Sequence, residues 1–209
     1  MKFTFSKKEI IHLFCAAMVI SLAFELVLFR DQIFTYAFTI TSFAVFFLQT
    51  LLIITLAFVL HELGHKFIAQ KIGIWAEFRA WPFGLVLALI LALISKGGFV
   101  FAAPGAVLIV PAKKTKKGFI FKKLTKKQVG HIGIIGVLIN LFLATIAFIL
   151  ALLGVALAAL MAQINTWLAI FNLIPVSILD GAKVWHWSKT AWAITFFYAI
   201  SLFILIILI

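Results

Sequence analysis

The chain has 209 residues, 66% of them hydrophobic and 11% charged, with a mean hydropathy of +1.25. Soluble domains are about half apolar and about a quarter charged, so six acidic side chains against 24 phenylalanines exclude a soluble enzyme or a disordered binder and make the bilayer the solvent. The formal charge of +12 lies in short lysine clusters between apolar runs, which points to anionic lipid headgroups as partner and away from nucleic acid.

In chain order, Ile10 to Phe29 is a first transmembrane helix behind Lys2, Lys7 and Lys8. It is longer than a signal-peptide core and has no small-residue cleavage pattern before Arg30 and Asp31. Glu25, near its far end, reads as an interfacial carboxylate. Gln32 to Leu60 carries no charge, enough for a second span that runs into His61-Glu62-Leu63-Gly64-His65. Ala80 to Ser95 is a short helix. Residues 97–111 follow as a β or re-entrant element, since Gly97, Gly98, Pro104 and Gly105 break helices among β-favouring residues, and an extended or hairpin segment results.

Eight lysines make 112–128 a basic loop. Gln128 to Leu179 then holds no Lys, Arg, Asp or Glu, the length of two helices folded back between Gly154 and Asn165. The last span, 192–209, follows an aromatic belt at Trp185 and Trp187. The expected fold is therefore a single integral-membrane domain over 1–209, core about 37–183, all-α with the small β element and about six transmembrane helices. Placing the N-terminus and the basic loop in the cytoplasm puts HELGH and the Asp180 region together in the cytoplasmic leaflet, in the plasma membrane of a prokaryote. Cys15 stands alone, which excludes an intrachain disulfide and a cysteine metal cluster.

The chemistry starts from His61 and His65, four residues apart and so on one face of a helix, with Glu62 beside them. Three ionisable side chains in five positions of apolar sequence are costly unless they bind something, and this spacing suits a single Zn²⁺ whose bound water becomes acidic enough for a neighbouring carboxylate to deprotonate. A catalytic zinc needs a third protein ligand. Of the six acids, Glu9 and Asp31 belong to a terminus and an outer turn, Glu25 lies toward the outer leaflet, and Glu77 has Arg79 as a ready ion-pair partner. Asp180 remains, in a segment where Pro175 stops a helix and Gly181 permits a tight turn. Asn140, one turn from Gly136 and from Ala144, forms a small-polar-small face open to two readings, helix packing or substrate contact. His12, His131 and His186 fall at span ends and are read as interfacial.

HELGH at 61–65, the glycines from Gly97, the Gly136 to Asn140 stretch, and Asn172-x-x-Pro175 leading to Leu179-Asp180-Gly181 occur together in this order. With them the chain resembles the site-2 protease family of intramembrane zinc metalloproteases, over roughly Leu56 to Lys183. The resemblance implies that His61, His65 and Asp180 bind one zinc per chain, that Glu62 is the general base, and that Asn172 contacts substrate or oxyanion. The family often has Gly-Pro where this chain has Gly136-Val137, and no stretch is long enough for an inserted PDZ or CBS domain, the pattern of a minimal form. The expected activity is hydrolysis of peptide bonds in or near transmembrane segments of a membrane-protein substrate. The competing readings are a non-proteolytic zinc-binding channel or chaperone and a membrane zinc protease of another class, the latter needing a downstream Glu that the chain lacks after Glu77.

Overall fold

The computed structural model describes residues 4–28, 39–95, 100–101, 103–110, 112–115, 118–121, 123–176 and 178–209. Arg30 and Asp31, the Gly97 to Phe99 start of the expected re-entrant element with Ala102 and Pro111, and Lys116, Lys117 and Lys122 of the basic loop lie outside the described residues. In chain order the elements are α1 (Lys7–Leu28), α2 (Ile40–Ile54), a π-helical turn (Thr55–Val59), α3 (Leu60–Lys71), β1 (Trp75–Ala80), α4 (Pro82–Ile94), β2 (Gly105–Val110), β3 (Ala112–Thr115), β4 (Gly118–Phe121), α5 (Lys126–Leu152), α6 (Ala158–Leu173), α7 (Asp180–Trp187) and α8 (Lys189–Ile207). The protein is mostly helical. Among the described residues four helical runs, Lys7–Leu28, Ile40–Lys71, Lys126–Leu152 and Lys189–Ile207, are long and apolar enough to cross a membrane, and α4 and α6 are shorter apolar helices.

Contacts divide the chain into two compact units. One joins Thr4–Val59 to Glu77–Leu108. In it α1 packs on α2 and α4, and its Ala16, Ala17, Ile20 and Ala23 are fully or almost fully buried. Its sheet pairs β1 with β2 across the intervening α4, so of the two forms expected for this segment Gly105–Val110 takes the extended one and is not half of a local hairpin. The strand β1 was not anticipated, although Ala76, Phe78 and Ala80 alternate with Glu77 and Arg79 at the strand period. Side chains of α1 reach this strand. Glu9 Oε1 accepts the Phe78 N–H (3.0 Å) and His12 Nδ1 accepts the Ala80 N–H (3.1 Å). Glu77 receives Ser6 and pairs with Arg79. Glu25 corrects the sequence reading. It is fully buried, not interfacial, because Thr50 on α2 donates to its Oε2 at 2.8 Å and replaces headgroup water.

The other unit joins Leu60–Ala76 to Ile109–Ile209. Its centre is α5, which contacts α3, α6, α7 and α8. A capping box starts α5: Thr125 Oγ1 accepts the Gln128 N–H and Gln128 Oε1 accepts the Thr125 N–H, satisfying two otherwise orphaned donors. One face of α5 is small, with Gly130, Gly133, Gly136, Asn140, Ala144 and Ala147 all buried, so neighbouring helices approach closely. Gly73 (φ 80°) and Gly154 (φ 77°) stop α3 and α5 with paired backbone bonds of the Schellman type, a left-handed conformation that side chains disfavour. The reversal after Gly154 falls inside the interval that the sequence left for it. The basic stretch is not simply a loop. β3 and β4 pair antiparallel, Ala112 opposite Phe121 and Thr115 opposite Gly118, backbone bonding that composition alone conceals.

Candidate metal centre

Three helices of the second unit bring the site together. On α3, His61 and His65 emerge one turn apart from a helix that follows directly on the π-helical turn, an insertion that shifts the facing of the side chains after it. Asp180 opens α7. Pro175 lies just past the end of α6, and Gly181 sits where a Cβ would collide with the Leu173 carbonyl. Gly181 is helical, and its role is this close approach between chain segments, not the tight turn expected from sequence.

His61 Nε2, His65 Nε2 and Asp180 Oδ2 converge: 3.0 Å between the two nitrogens, 3.1 Å from His61 to the oxygen and 2.8 Å from His65. All three side chains are buried. The other nitrogen of each ring is engaged. His65 Nδ1–H donates to the Ile132 carbonyl (2.5 Å) and His61 Nδ1–H to Asn140 Oδ1 (2.6 Å). With those protons on Nδ1, both Nε2 atoms point lone pairs at each other and at a carboxylate oxygen. Three acceptors sharing one point in the interior repel one another unless a cation lies among them. A tetrahedral zinc with ligand bonds of about 2.0 Å spaces its donors ~3.3 Å apart, close to the separations here. The donor set of two imidazoles and one carboxylate is one that zinc accepts and leaves a fourth position for water. Gly136 is the floor of the site, where a Cβ would lie 2.6 Å from His61 Nε2 and 2.7 Å from His65 Nε2.

Glu62 is buried next to this cluster, and its Oε2 meets no hydrogen-bond donor among the described residues. An orphaned buried carboxylate oxygen calls for a water or an ion that the protein itself does not supply. Lys183, one turn along α7, donates to Asp180 Oδ1 at 2.8 Å and so leaves Oδ2 alone facing the histidines. Sequence reasoning overlooked Lys183, whose signal was its helical spacing from the only acid in the C-terminal half.

Asn140 is fully buried, and its amide is used inside the protein: Oδ1 faces His61 and Nδ2 donates to Asn165 Oδ1 (3.0 Å). Both hydrogen bonds run between helices, from α5 to His61 on α3 and to Asn165 on α6. Asn172, near the end of α6, is half-buried and donates one Nδ2 hydrogen to the Leu168 carbonyl (3.0 Å) one turn back; no hydrogen bond joins it to the three converging side chains. The other histidines are occupied elsewhere, His12 with β1, His131 edge-on to Trp187, and His186 with the Ala182 carbonyl.

Over 200 residues the chain is 37% identical to a Methanocaldococcus jannaschii protein named "Putative zinc metalloprotease", the match covering 92% of this chain and 91% of that one. No family model and no solved structure matches the chain.

Proposed function

The chain belongs to the zinc metalloprotease family of the Methanocaldococcus jannaschii protein, and from that premise we propose that it is an intramembrane zinc metalloendopeptidase of the site-2 protease type, hydrolysing peptide bonds in or beside transmembrane segments of membrane proteins. The observation that carries this reading is the convergence of Asp180 Oδ2 from α7 with His61 Nε2 and His65 Nε2, the two histidines being carried by a helical run apolar enough to span a bilayer. These three side chains hold one zinc. When bound, zinc supplies Lewis acidity that brings the pKa of a water in its open position to about 7. Glu62 takes the proton of the attacking water and returns it to the leaving amine, work for which its unpartnered Oε2 is free. Lys183 keeps Asp180 presenting a single oxygen. Asn172 retains one Nδ2 hydrogen beyond its bond to Leu168, and in this reading that hydrogen steadies the developing oxyanion. Asn172→Ala then lowers turnover by about tenfold or more with zinc unchanged; unchanged kinetics would reduce Asn172 to helix packing.

The lysine distribution supports six spans, with α4 and α6 completing the four longer runs, and an active site in the cytoplasmic leaflet. A cysteine at Lys189 in a Cys15→Ser background should be labelled from the cytoplasmic side, and labelling from outside would reverse this topology. A helical substrate must unwind to be cut, and the edge of β2 away from β1 is the one suited to receive it as an added strand, since α1 side chains occupy β1 at Phe78 and Ala80. Of the neighbouring variants Val107→Pro and Leu108→Pro, one removes a donor from that edge. That one should impair cleavage of a helical substrate more than of an extended peptide; equal effects on both substrates would leave β2 as scaffold.

The activity itself is tested by incubating the purified protein with a panel of single-span membrane substrates, with and without a chelator. Cleavage that chelation stops and added zinc restores is the expected result. Zinc-loaded protein that cuts none of them, or cleavage indifferent to the chelator, would contradict the reading.

A further inference from the structure

His61 works as a ligand only if its proton is on Nδ1, and a neutral imidazole has no strong preference of its own between its two nitrogens. The partner at Nδ1 decides. For His65 that partner is the Ile132 carbonyl, which can only accept, so the proton is fixed by the backbone. For His61 the partner is the side-chain amide of Asn140, which presents an acceptor in one orientation and a donor in the other. Turned by half a rotation, Asn140 would offer Nδ2 to His61, draw the proton to Nε2 and put it into the metal position.

What holds Asn140 in the useful orientation is found one helix away. Asn165 on α6 is fully buried, and its Nδ2 donates to the Met161 carbonyl at 2.9 Å. A carbonyl cannot donate, so Asn165 must present Nδ2 there and Oδ1 to Asn140. Asn140 must then give Nδ2 to Asn165 (3.0 Å) and Oδ1 to His61 (2.6 Å). Each amide is oriented by the one before it, in a sequence that starts at a backbone atom and ends at a histidine lone pair. We infer that Asn165 is a positioning residue for the metal site: through Asn140 it selects the His61 tautomer whose Nε2 can bind a metal.

This rests on His61 being a metal ligand, and the experiment separates the two. Zinc affinity is measured by competition with a chromophoric chelator for the wild type, His61→Ala, Asn165→Leu and Asn165→Asp, and the His61 tautomer is read from nitrogen chemical shifts of histidine-labelled, metal-free protein. Leucine keeps the branched side-chain skeleton without polar atoms. Aspartate keeps an acceptor for Asn140 whether charged or neutral, and when neutral its hydroxyl also reaches Met161. The relay predicts that Asn165→Leu binds zinc about tenfold to a hundredfold more weakly, as for loss of a group that orients a ligand, while Asn165→Asp stays within about threefold of wild type. It also predicts a proton on Nδ1 of His61 in wild type and a mixture of tautomers in Asn165→Leu. Simple packing predicts the reverse order, since leucine suits an apolar helix contact and a buried acid does not. Asn165→Leu binding zinc as tightly as wild type, or both variants losing it equally, overturns the relay. Wild type without zinc affinity, or His61→Ala retaining it, overturns the metal reading and the relay with it.

Discussion

Both compact units bury polar side chains in apolar surroundings, and they treat them differently. Around α1, acceptors meet donors: Glu9 takes the Phe78 N–H, His12 the Ala80 N–H, Glu77 the Arg79 guanidinium and Glu25 the Thr50 hydroxyl. What is left over on Glu25 is one atom, Oε1, which has no hydrogen-bond partner among the described residues. Around α5 the donors are spent on the periphery, at Asn140, Ile132 and Lys183, and three acceptors are left facing one another. The first pattern is how a fold tolerates buried polar groups. The second raises the energy of the protein alone and is relieved by a cation, so burial by itself does not mark function and the direction of the leftover lone pairs does.

Substitutions can break this contrast in a graded way. The largest effect falls on chemistry without binding. Glu62→Gln should lower proteolysis about a thousandfold while zinc content stays at wild type, because the amide fills the same space and accepts no proton; substantial residual cleavage would remove Glu62 from the role of base. Gly136→Ala places a methyl against both Nε2 atoms, and zinc affinity should fall by more than about a hundredfold with helical content unchanged by circular dichroism. Full zinc occupancy in this variant would mean that the histidines bind from another geometry. Lys183→Met keeps the aliphatic stem and removes the donor to Asp180 Oδ1, which should weaken zinc about tenfold in a chelator competition. The smallest effect belongs to the other unit. Glu25→Gln keeps an acceptor for Thr50, so zinc and activity should stay within about twofold and stability within about 1 kcal/mol by thermal unfolding. A collapse of activity there would erase the distinction between the two regions.

Much of the site was legible because its determinants are local or scarce. The four-residue spacing of His61 and His65 needs only a helix to put both rings on one face, and six acids leave few choices for a third ligand. Asn165 was not legible, since its role depends on α6 crossing α5 at Asn140, although an amide in an apolar helix was a visible anomaly. Glu25 misled for the same reason: its donor is on another helix, and position near a span end is a poor guide to burial. The helices followed from hydropathy and from glycine stops, and β2 lies within the β element expected at 97–111, whereas the other strands were not legible. β1 is six residues whose two charges, Glu77 and Arg79, pair with each other, and β3 is Ala-Lys-Lys-Thr, joined to β4 through its backbone. Neither looks apolar enough to be buried or long enough to be regular.

The central claim, that His61, His65 and Asp180 form one zinc site, is tested most directly by zinc analysis of purified wild type and Asp180→Ala after equal exposure to a chelator of moderate strength. Asp180 is the ligand that no local spacing ties to the histidines, being 119 positions from His61, so its loss tests the three-dimensional arrangement and not the motif. The account predicts about one zinc per wild-type chain and a small fraction of that in Asp180→Ala. Equal zinc in the two proteins would contradict it.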